Sequence, residues 1–212
     1  QEMIDALTKA MKEDFPLPPE VDCRVEYVDP SMQQYLAPAF YITAPIDDYF
    51  ENTIYINSAS DYQDIHYFTT LAHEGLPGHL YQTVMSYTYG QSPVRSLLGY
   101  PGYTEGWATY VELLSYGYAG LPENVAELLS HNQAATISLY AASDIGIHYE
   151  GWDADQMYTF WSDYGVTDKK TIDEIMEIIL ADPGNYLKYY IGYLNILDLR
   201  QKMMDAYGDD FS

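Results

Sequence analysis

The feature that most restricts the fold of this chain is a change of hydrophobic periodicity near residue 61. Three short runs before this point resemble β-strands, at Cys23–Val28, Phe40–Ala44 and Thr53–Asn57, and the last alternates most cleanly between apolar and other residues. Beyond this point, apolar residues recur at helical spacing. The sequence therefore predicts an α+β protein, mainly α, in which a small sheet precedes a helical body.

Proline and glycine divide the helical part into separate segments. A helix is also predicted for residues 1–14, which the proline-rich run after Phe15 ends. The other predicted helices are Tyr62–Met85, Thr104–Tyr118, Asn124–His148, Asp153–Tyr164, Asp168–Leu180 and Asn185–Tyr207. Because neither a linker nor a repeat interrupts the pattern, residues 1–212 are predicted to form a single domain.

The charge of the chain excludes several classes of partner. Nine basic residues stand against 32 acidic ones, which gives a net charge of −23 at pH 7. Such a surface repels phosphate backbones, so nucleic-acid binding is not expected.

No apolar run reaches the roughly 18 residues of a membrane span. The one cysteine, Cys23, cannot build a thiolate zinc site. An acidic, tyrosine-rich and lysine-poor chain suits the cell envelope or exterior, with the cytoplasm as the alternative.

The pair His73-Glu74, followed by His79, is the candidate catalytic motif. Two histidines on a helix with a glutamate beside the first are the layout of zinc-dependent hydrolases, in which the imidazoles bind the metal and the glutamate polarises a water molecule. The spacing i, i+6 would separate the imidazoles by about 240° and about 9 Å on a regular helix. Pro77 and Gly78 lie between them and favour a bulge or an end of the helix. We therefore expect both imidazoles to face one point, although two unrelated histidines near a helix break would give the same pattern.

A third metal ligand is available in the next predicted helix. Glu105 lies 26 residues beyond His79, and two histidines with one glutamate leave a fourth position open, as in catalytic zinc sites. Alternatively, Glu105 complements the helix N-terminus, with Thr104 as its cap. Glu112, two turns later on the same face, could orient a ligand histidine or be solvated.

Four blocks of sequence, in this order, resemble the bacterial domain-of-unknown-function 885 family, whose members are regarded as zincin-like metallopeptidases. The resemblance extends over about residues 40 to 200, and the first block is the most specific. The blocks are His73-Glu74-Gly75-Leu76-Pro77-Gly78-His79, Glu105-Gly106-Trp107-Ala108-Thr109-Tyr110, Asp144-Ile145-Gly146-Ile147-His148, and Pro183-Gly184 through Leu187, Tyr189 and Ile191-Gly192 to Leu199-Arg200.

The resemblance implies a zincin-like helical body with Zn²⁺ held by His73, His79 and Glu105, and with Glu74 as the base. It also implies that Asp144, His148 and Tyr189 lie near the site. Family members are longer and have a helical N-terminal portion that forms a wall of the active-site cleft. This chain is therefore expected to be the C-terminal portion of a longer protein. The family pattern places an arginine four residues before the aspartate, where this chain has Tyr140.

Elementary chemistry leaves the later blocks open to two interpretations. Asp144 and His148 stand at i, i+4 and could form a hydrogen-bonded pair, which either donates to an oxyanion beside the metal or only bridges helices. Two of the three arginines, Arg95 and Arg200, could bind a substrate carboxylate.

The favoured hypothesis is a zinc-dependent hydrolase that cleaves peptide bonds through a metal-bound water, with Glu74 as general base and Tyr189 or His148 as the donor to the oxyanion. The substrate would be a peptide or a small amide. Extended substrates often add a strand to an exposed sheet edge, and Thr53–Asn57 is the candidate edge. The alternatives are an inactive metal-binding or scaffold fragment, and a zinc hydrolase of non-peptide amides or esters.

Overall fold

The structure is a computed structural model that describes residues 2–45, 47–59, 64–90 and 92–208. Within these ranges the chain is mainly helical, with one small sheet near its N-terminal end. The predicted fold class is therefore confirmed.

The sheet contains three strands, β1 (Asp22–Tyr27), β2 (Ala39–Tyr41) and β3 (Glu51–Ile56), in the spatial order β1-β3-β2. The central strand β3 pairs in parallel with β1 and antiparallel with β2. The expectation that Thr53–Asn57 offers an exposed edge is therefore wrong, because β3 forms hydrogen bonds on both of its sides. The edges belong to β1 and β2.

The helices follow the predicted order with small shifts of their ends. The expected segment Tyr62–Met85 forms two helices rather than one, and its first two residues lie outside the described ranges. A short helix that begins at Pro93 was not predicted, because proline was interpreted as a break, although it is tolerated in a first helical turn. The helices are α1 (Glu2–Ala10), α2 (Asp64–Glu74), α3 (His79–Thr88), α4 (Pro93–Leu97), α5 (Pro101–Ser115), α6 (Glu123–Ile145), α7 (Ala154–Asp163), α8 (Lys169–Ala181) and α9 (Asn185–Tyr207).

A first hydrophobic core fixes the helices that carry the histidine motif. Leu7 and Met11 from the N-terminal helical segment pack with Ile54 of β3 and with Leu80 and Val84 of α3, and all five are fully buried. Burial of side chains of this size stabilises the fold by about 1.5–3 kcal/mol each. The sheet and α1 therefore support α2 and α3 from one side.

Two glycines bring α5 and α9 into close contact. A Cβ atom added at Gly106 would lie 2.3 Å from the backbone carbon of Gly192, and one added at Gly192 would lie 2.3 Å from the carbonyl oxygen of Gly102. Only glycine permits this approach, which places the start of α5 beside the first half of α9. Among the described residues, no helix is both long and apolar enough to cross a membrane.

Candidate metal centre

The turn between α2 and α3 brings the two histidines of the motif together. Helix α2 ends at Glu74 and α3 begins at His79, so the predicted helix end between the histidines is confirmed. A Cβ atom at Gly78 would lie 1.8 Å from the His73 carbonyl oxygen, which only glycine avoids. The indole Nε1 of Trp107 donates to the Pro77 carbonyl oxygen at 2.9 Å and holds the turn against α5.

Three side-chain atoms converge beyond this turn. Nε2 of His73 lies 3.6 Å from Oε2 of Glu105, and Nε2 of His79 lies 3.4 Å from the same oxygen. All three atoms lie within 4.8 Å of one another. Two atoms that each bind one tetrahedral zinc ion at about 2.1 Å are about 3.4 Å apart. The spacing therefore suits a single ion held by two imidazoles and one carboxylate.

The Glu105 carboxylate supplies a second indication of a cation. Its Oε2 atom is buried and has no hydrogen-bond partner among the residues that the structure describes. A buried carboxylate oxygen without a partner is costly, and a metal ion would compensate it. The donor set of two nitrogens and one oxygen is that of catalytic zinc sites.

The alternative role of Glu105 at a helix terminus is wrong. Helix α5 begins at Pro101, four residues before Glu105, and no acidic residue lies in its first turn. The Thr104 hydroxyl donates to the carbonyl oxygens of Tyr100 and Pro101 instead of capping the helix. Glu105 therefore lies within the helix and faces the histidines.

Glu112 contacts the first imidazole, which corresponds to one of the two roles that its spacing allowed and not to the solvated one. One of its oxygens, Oε2, lies 2.8 Å from Nδ1 of His73, and the other accepts a hydrogen bond from Nε2 of Gln133 at 3.2 Å. A carboxylate on Nδ1 fixes the tautomer and leaves Nε2 for the metal. Gln133 of α6 was not predicted to take part, because nothing in its local sequence links it to the motif.

The two oppositely charged groups at the centre shift each other's pKa. For His73, burial lowers the pKa, but the nearby carboxylate of Glu105 and the hydrogen bond to Glu112 outweigh it and raise the pKa from 6.5 to about 10. For Glu105, burial raises the pKa, but the close imidazoles of His73 and His79 outweigh it and lower the pKa from 4.5 to about 2. Without a metal, a proton on His73 therefore takes the place of the cation.

Glu74 lies beside the three ligands without joining them. Its Oε1 atom is 4.0 Å from Nε2 of His73, and its Oε2 atom accepts a hydrogen bond of 2.8 Å from the backbone N–H of Tyr41 in β2. Burial raises the pKa of this carboxyl group, although the two histidines oppose the shift. A partly desolvated carboxylate at the rim of the ligand group is placed to accept a proton.

Helix α9 contributes two further side chains. The ring centroid of Tyr189 lies 6.3 Å from that of His73, and burial together with Glu105 and Glu74 raises the pKa of its phenol. The ammonium group of Lys188 lies 3.9 Å from Oε1 of Glu105 and 5.1 Å from the centre of the Tyr189 ring. Lys188 was missed in the sequence, although it directly precedes Tyr189 in the last block.

The resemblance implied that His148 and Asp144 lie near the site, but their hydrogen bonds reach α8 and the start of α9 rather than the ligand group. Nε2 of His148 lies 3.0 Å from the carbonyl oxygen of Ile179 and 3.8 Å from Oδ1 of Asp144, too far for the predicted hydrogen bond within the pair. Asp144 accepts hydrogen bonds from the backbone N–H groups of Gly184 and Tyr186 at the start of α9. The pair therefore bridges helices.

A cleft of about 360 Å³ opens onto the ligand group. Gln82, Thr83 and Tyr41 were not predicted as part of it, because the strand and the second turn of α3 carry no motif. His148 is not among its lining residues. The lining residues are Tyr41, Thr43, His73, Glu74, His79, Gln82, Thr83, Thr104, Glu105 and Tyr189.

The fold and the site together define a mainly helical protein with a candidate metal centre of two histidines and one glutamate. The chain belongs to the family described as bacterial protein of unknown function (DUF885), whose sequence model matches residues 1–212. A search of curated proteins finds no match.

Two solved structures share the fold over the whole chain. One, described as the "putative lipoprotein" of Colwellia psychrerythraea, has a TM-score of 0.81 and 26% identity. Another, described as a "putative lipoprotein of unknown function" from Shewanella oneidensis, has a TM-score of 0.76 and 22% identity. The chain spans 37% of the first protein and 40% of the second.

Proposed function

We propose that this chain is the catalytic part of a zinc-dependent hydrolase that cleaves peptide bonds. The observation that carries the proposal is the convergence of His73, His79 and Glu105 within 4.8 Å, around a buried carboxylate oxygen that forms no hydrogen bond with any described residue. Glu74 lies at the edge of this group in the same cleft. A structural zinc site is normally closed by four protein ligands, whereas the part of the chain that the structure describes contributes three to this group.

Each side chain has a separate task in this proposal. His73, His79 and Glu105 would hold Zn²⁺, which when bound polarises a carbonyl group and acidifies water. Glu74 accepts the proton of the attacking water and returns it to the leaving amine. The Tyr189 phenol is neutral at pH 7, its raised pKa keeps it protonated at higher pH as well, and it donates a hydrogen bond to the developing oxyanion.

The proposal includes a setting for the reaction. We infer that the chain is the C-terminal part of a longer, zincin-like metallopeptidase of the cell envelope. The greater lengths of the two solved neighbours and their description as lipoproteins support this setting.

The first experiment tests the metal. We expect about one zinc ion per chain in the purified full-length protein, measured by elemental analysis. His79→Ala should remove it, because a coordinate bond is lost. His131→Ala, a change at an exposed histidine of α6, is the matched control and should retain it. Full zinc content in the His79 variant would contradict the assignment.

The second experiment separates catalysis from metal binding. Glu74→Gln keeps the shape of the side chain and an acceptor for the Tyr41 N–H, but cannot take up the proton. Zinc content and thermal unfolding should stay near those of the wild type, while hydrolysis of a peptide library falls at least about 100-fold. An inactive scaffold would show no hydrolysis to lose, and a variant with near-normal turnover would exclude Glu74 as the base.

A further inference from the structure

A second cavity of about 360 Å³ adjoins the cleft of the candidate metal centre. The two share four lining residues, Thr43, Gln82, Thr83 and Thr104. A ligand bound at the metal centre can therefore extend past the face of α3 that carries Gln82 and Thr83. Nothing in the proposed chemistry uses this second cavity.

Arg95 of α4 lies on the wall of the second cavity, between two tyrosine rings. Its guanidinium carbon is 5.8 Å from the ring centre of Tyr100 and 5.2 Å from that of Tyr103. A guanidinium group held over aromatic faces keeps its N–H groups at its edge, where they can still donate hydrogen bonds. Within the described ranges, no carboxylate lies within 4.0 Å of it and no acceptor is bonded to its side chain.

The other two arginines already have contacts. Arg24 pairs with Asp22 at 3.9 Å and with Glu51 at 3.5 Å. Arg200 contacts Sδ of Met204 at 3.2 Å on its own helix. In a chain with a net charge of −23, an arginine without an acidic partner among the described residues is a local exception to a surface that repels anions.

We infer that the second cavity is a subsite for a carboxylate of the peptide substrate, and that Arg95 is its partner. This inference rests on the proposed peptidase function and adds a substrate class to it. A planar guanidinium binds a carboxylate through two parallel hydrogen bonds, with geometry that an ammonium cannot match. The carboxylate can be the C-terminus of the peptide or the side chain of an aspartate or glutamate, and both sources share this chemistry.

Hydrolysis of matched peptides tests the subsite and distinguishes the two sources. One pair differs only in a free or an amidated C-terminus, and the other only in glutamate or glutamine next to the scissile bond, each made in several lengths. We expect the full-length wild type to prefer the carboxylate member of one pair by about 10- to 100-fold in kcat/KM, since hydrogen bonds between charged groups are strong. Arg95→Gln should abolish this preference by lowering kcat/KM for the carboxylate member to the level of the neutral member. Arg24→Gln removes the same charge elsewhere and should keep the preference.

Binding to an inactive variant tests the subsite without turnover. The zinc-loaded Glu74→Gln protein is titrated with the same peptide pairs by calorimetry, with and without Arg95→Gln. A carboxylate preference in affinity that disappears with Arg95 supports the subsite, even when the wild type hydrolyses no peptide, and in that case only the proposed function fails. Equal affinity within both pairs, a preference that survives Arg95→Gln, or no binding of any peptide overturns the subsite, whether or not hydrolysis occurs.

Discussion

The imidazole of His73 has a defined neighbour at each nitrogen. Nδ1 faces Glu112 at 2.8 Å and Nε2 faces Glu105 at 3.6 Å. One carboxylate therefore orients the ring, and the other shares the position at which a metal would bind. At the scale of single residues, we expect this arrangement to determine both the affinity of the proposed site for zinc and the dependence of that affinity on pH.

The Glu112→Gln substitution tests the orienting contact. The amide oxygen can still accept a hydrogen bond from Nδ1–H, but without the negative charge that increases the basicity of the ring. We expect zinc affinity to fall about 10- to 100-fold, measured by competition with a chelating indicator. Glu127→Gln, an exposed site on α6, is the control for loss of one negative charge. Equal affinities of the two variants would exclude the orienting role.

The raised pKa of His73 gives a prediction for the metal-free protein. Because the pKa rises from 6.5 to about 10 on folding, the protonated ring contributes stability that is complete below pH 6.5 and is lost as the pH rises through 10. Nuclear magnetic resonance of chelator-treated protein should show one imidazole that titrates near pH 10, absent in His73→Gln. The Glu112→Gln variant should shift this titration downward.

Metal affinity should follow the same titration. Zinc must displace the His73 proton, so apparent affinity is expected to rise about tenfold per pH unit between pH 7 and 10 as one proton is released. A His73 signal that titrates near pH 6.5 would contradict both statements.

At the scale of secondary structure, the site depends on the four-residue turn between α2 and α3. The Gly78 carbonyl oxygen accepts a hydrogen bond of 2.9 Å from the backbone N–H of Gln82 in α3. The close approach to His73 leaves no space for a side chain at this position. The positions of both histidines are therefore coupled through one glycine.

Gly78→Ala should disturb this turn. The added Cβ would meet the His73 carbonyl at 1.8 Å, so α2 and α3 must move apart, at a cost of about 1–3 kcal/mol or more. We expect a lower urea midpoint and loss of zinc together. Gly117→Ala, where a Cβ meets no atom within 4 Å, is the matched control. Stoichiometric zinc in the Gly78 variant would show that the turn does not position the ligands.

At the scale of the whole chain, the net charge of −23 is the dominant electrostatic feature. Exposed ion pairs such as those of Lys170 with Glu174 and Lys202 with Asp198 offset little of this repulsion, since pairs of this kind contribute about 0–1 kcal/mol. The compact state therefore brings together carboxylates that the unfolded chain separates.

Sodium chloride should stabilise the chelator-treated protein. The screening length falls from about 10 Å at 0.1 M to about 3 Å at 1 M, so the repulsion weakens and the thermal midpoint is expected to rise by several degrees. The increase should be smaller at pH 5, closer to the isoelectric point of about 4.1. A midpoint that falls with salt at pH 7 would show that attractive ion pairs prevail.

Several features of the site could be predicted because they are local in the chain. The positions of His73, Glu74 and His79, with Pro77 and Gly78 between them, contain both the donor types and the helix end. Glu112 stands two turns after Glu105, so one helix presents both carboxylates to the same side. These relations hold between residues close together in the chain, so they follow from helix geometry and from the conformational preferences of the local residues.

Other features could not be predicted from the sequence, because they depend on contacts between segments that are distant in the chain. The i, i+4 spacing of Asp144 and His148 makes them neighbours on α6 and the π-helix Gly146–Glu150 that follows it, but does not show which helix faces them. Tyr41 reaches Glu74 only because β2 lies at the edge of the sheet nearest to α2, and the alternation of Thr53–Asn57 carried no information on strand order.

The sequence by itself determined the mainly helical class with a small sheet, the break between the two histidines and the set of candidate ligands, because each follows from local periodicity, proline and glycine, or donor chemistry. The tertiary structure decided the central position of β3, the separation of His148 from the cleft and the contacts of Lys188 and Arg95. These depend on which apolar faces pack together, as where Gly106 and Gly192 let α5 and α9 meet, and packing is a property of all the elements at once.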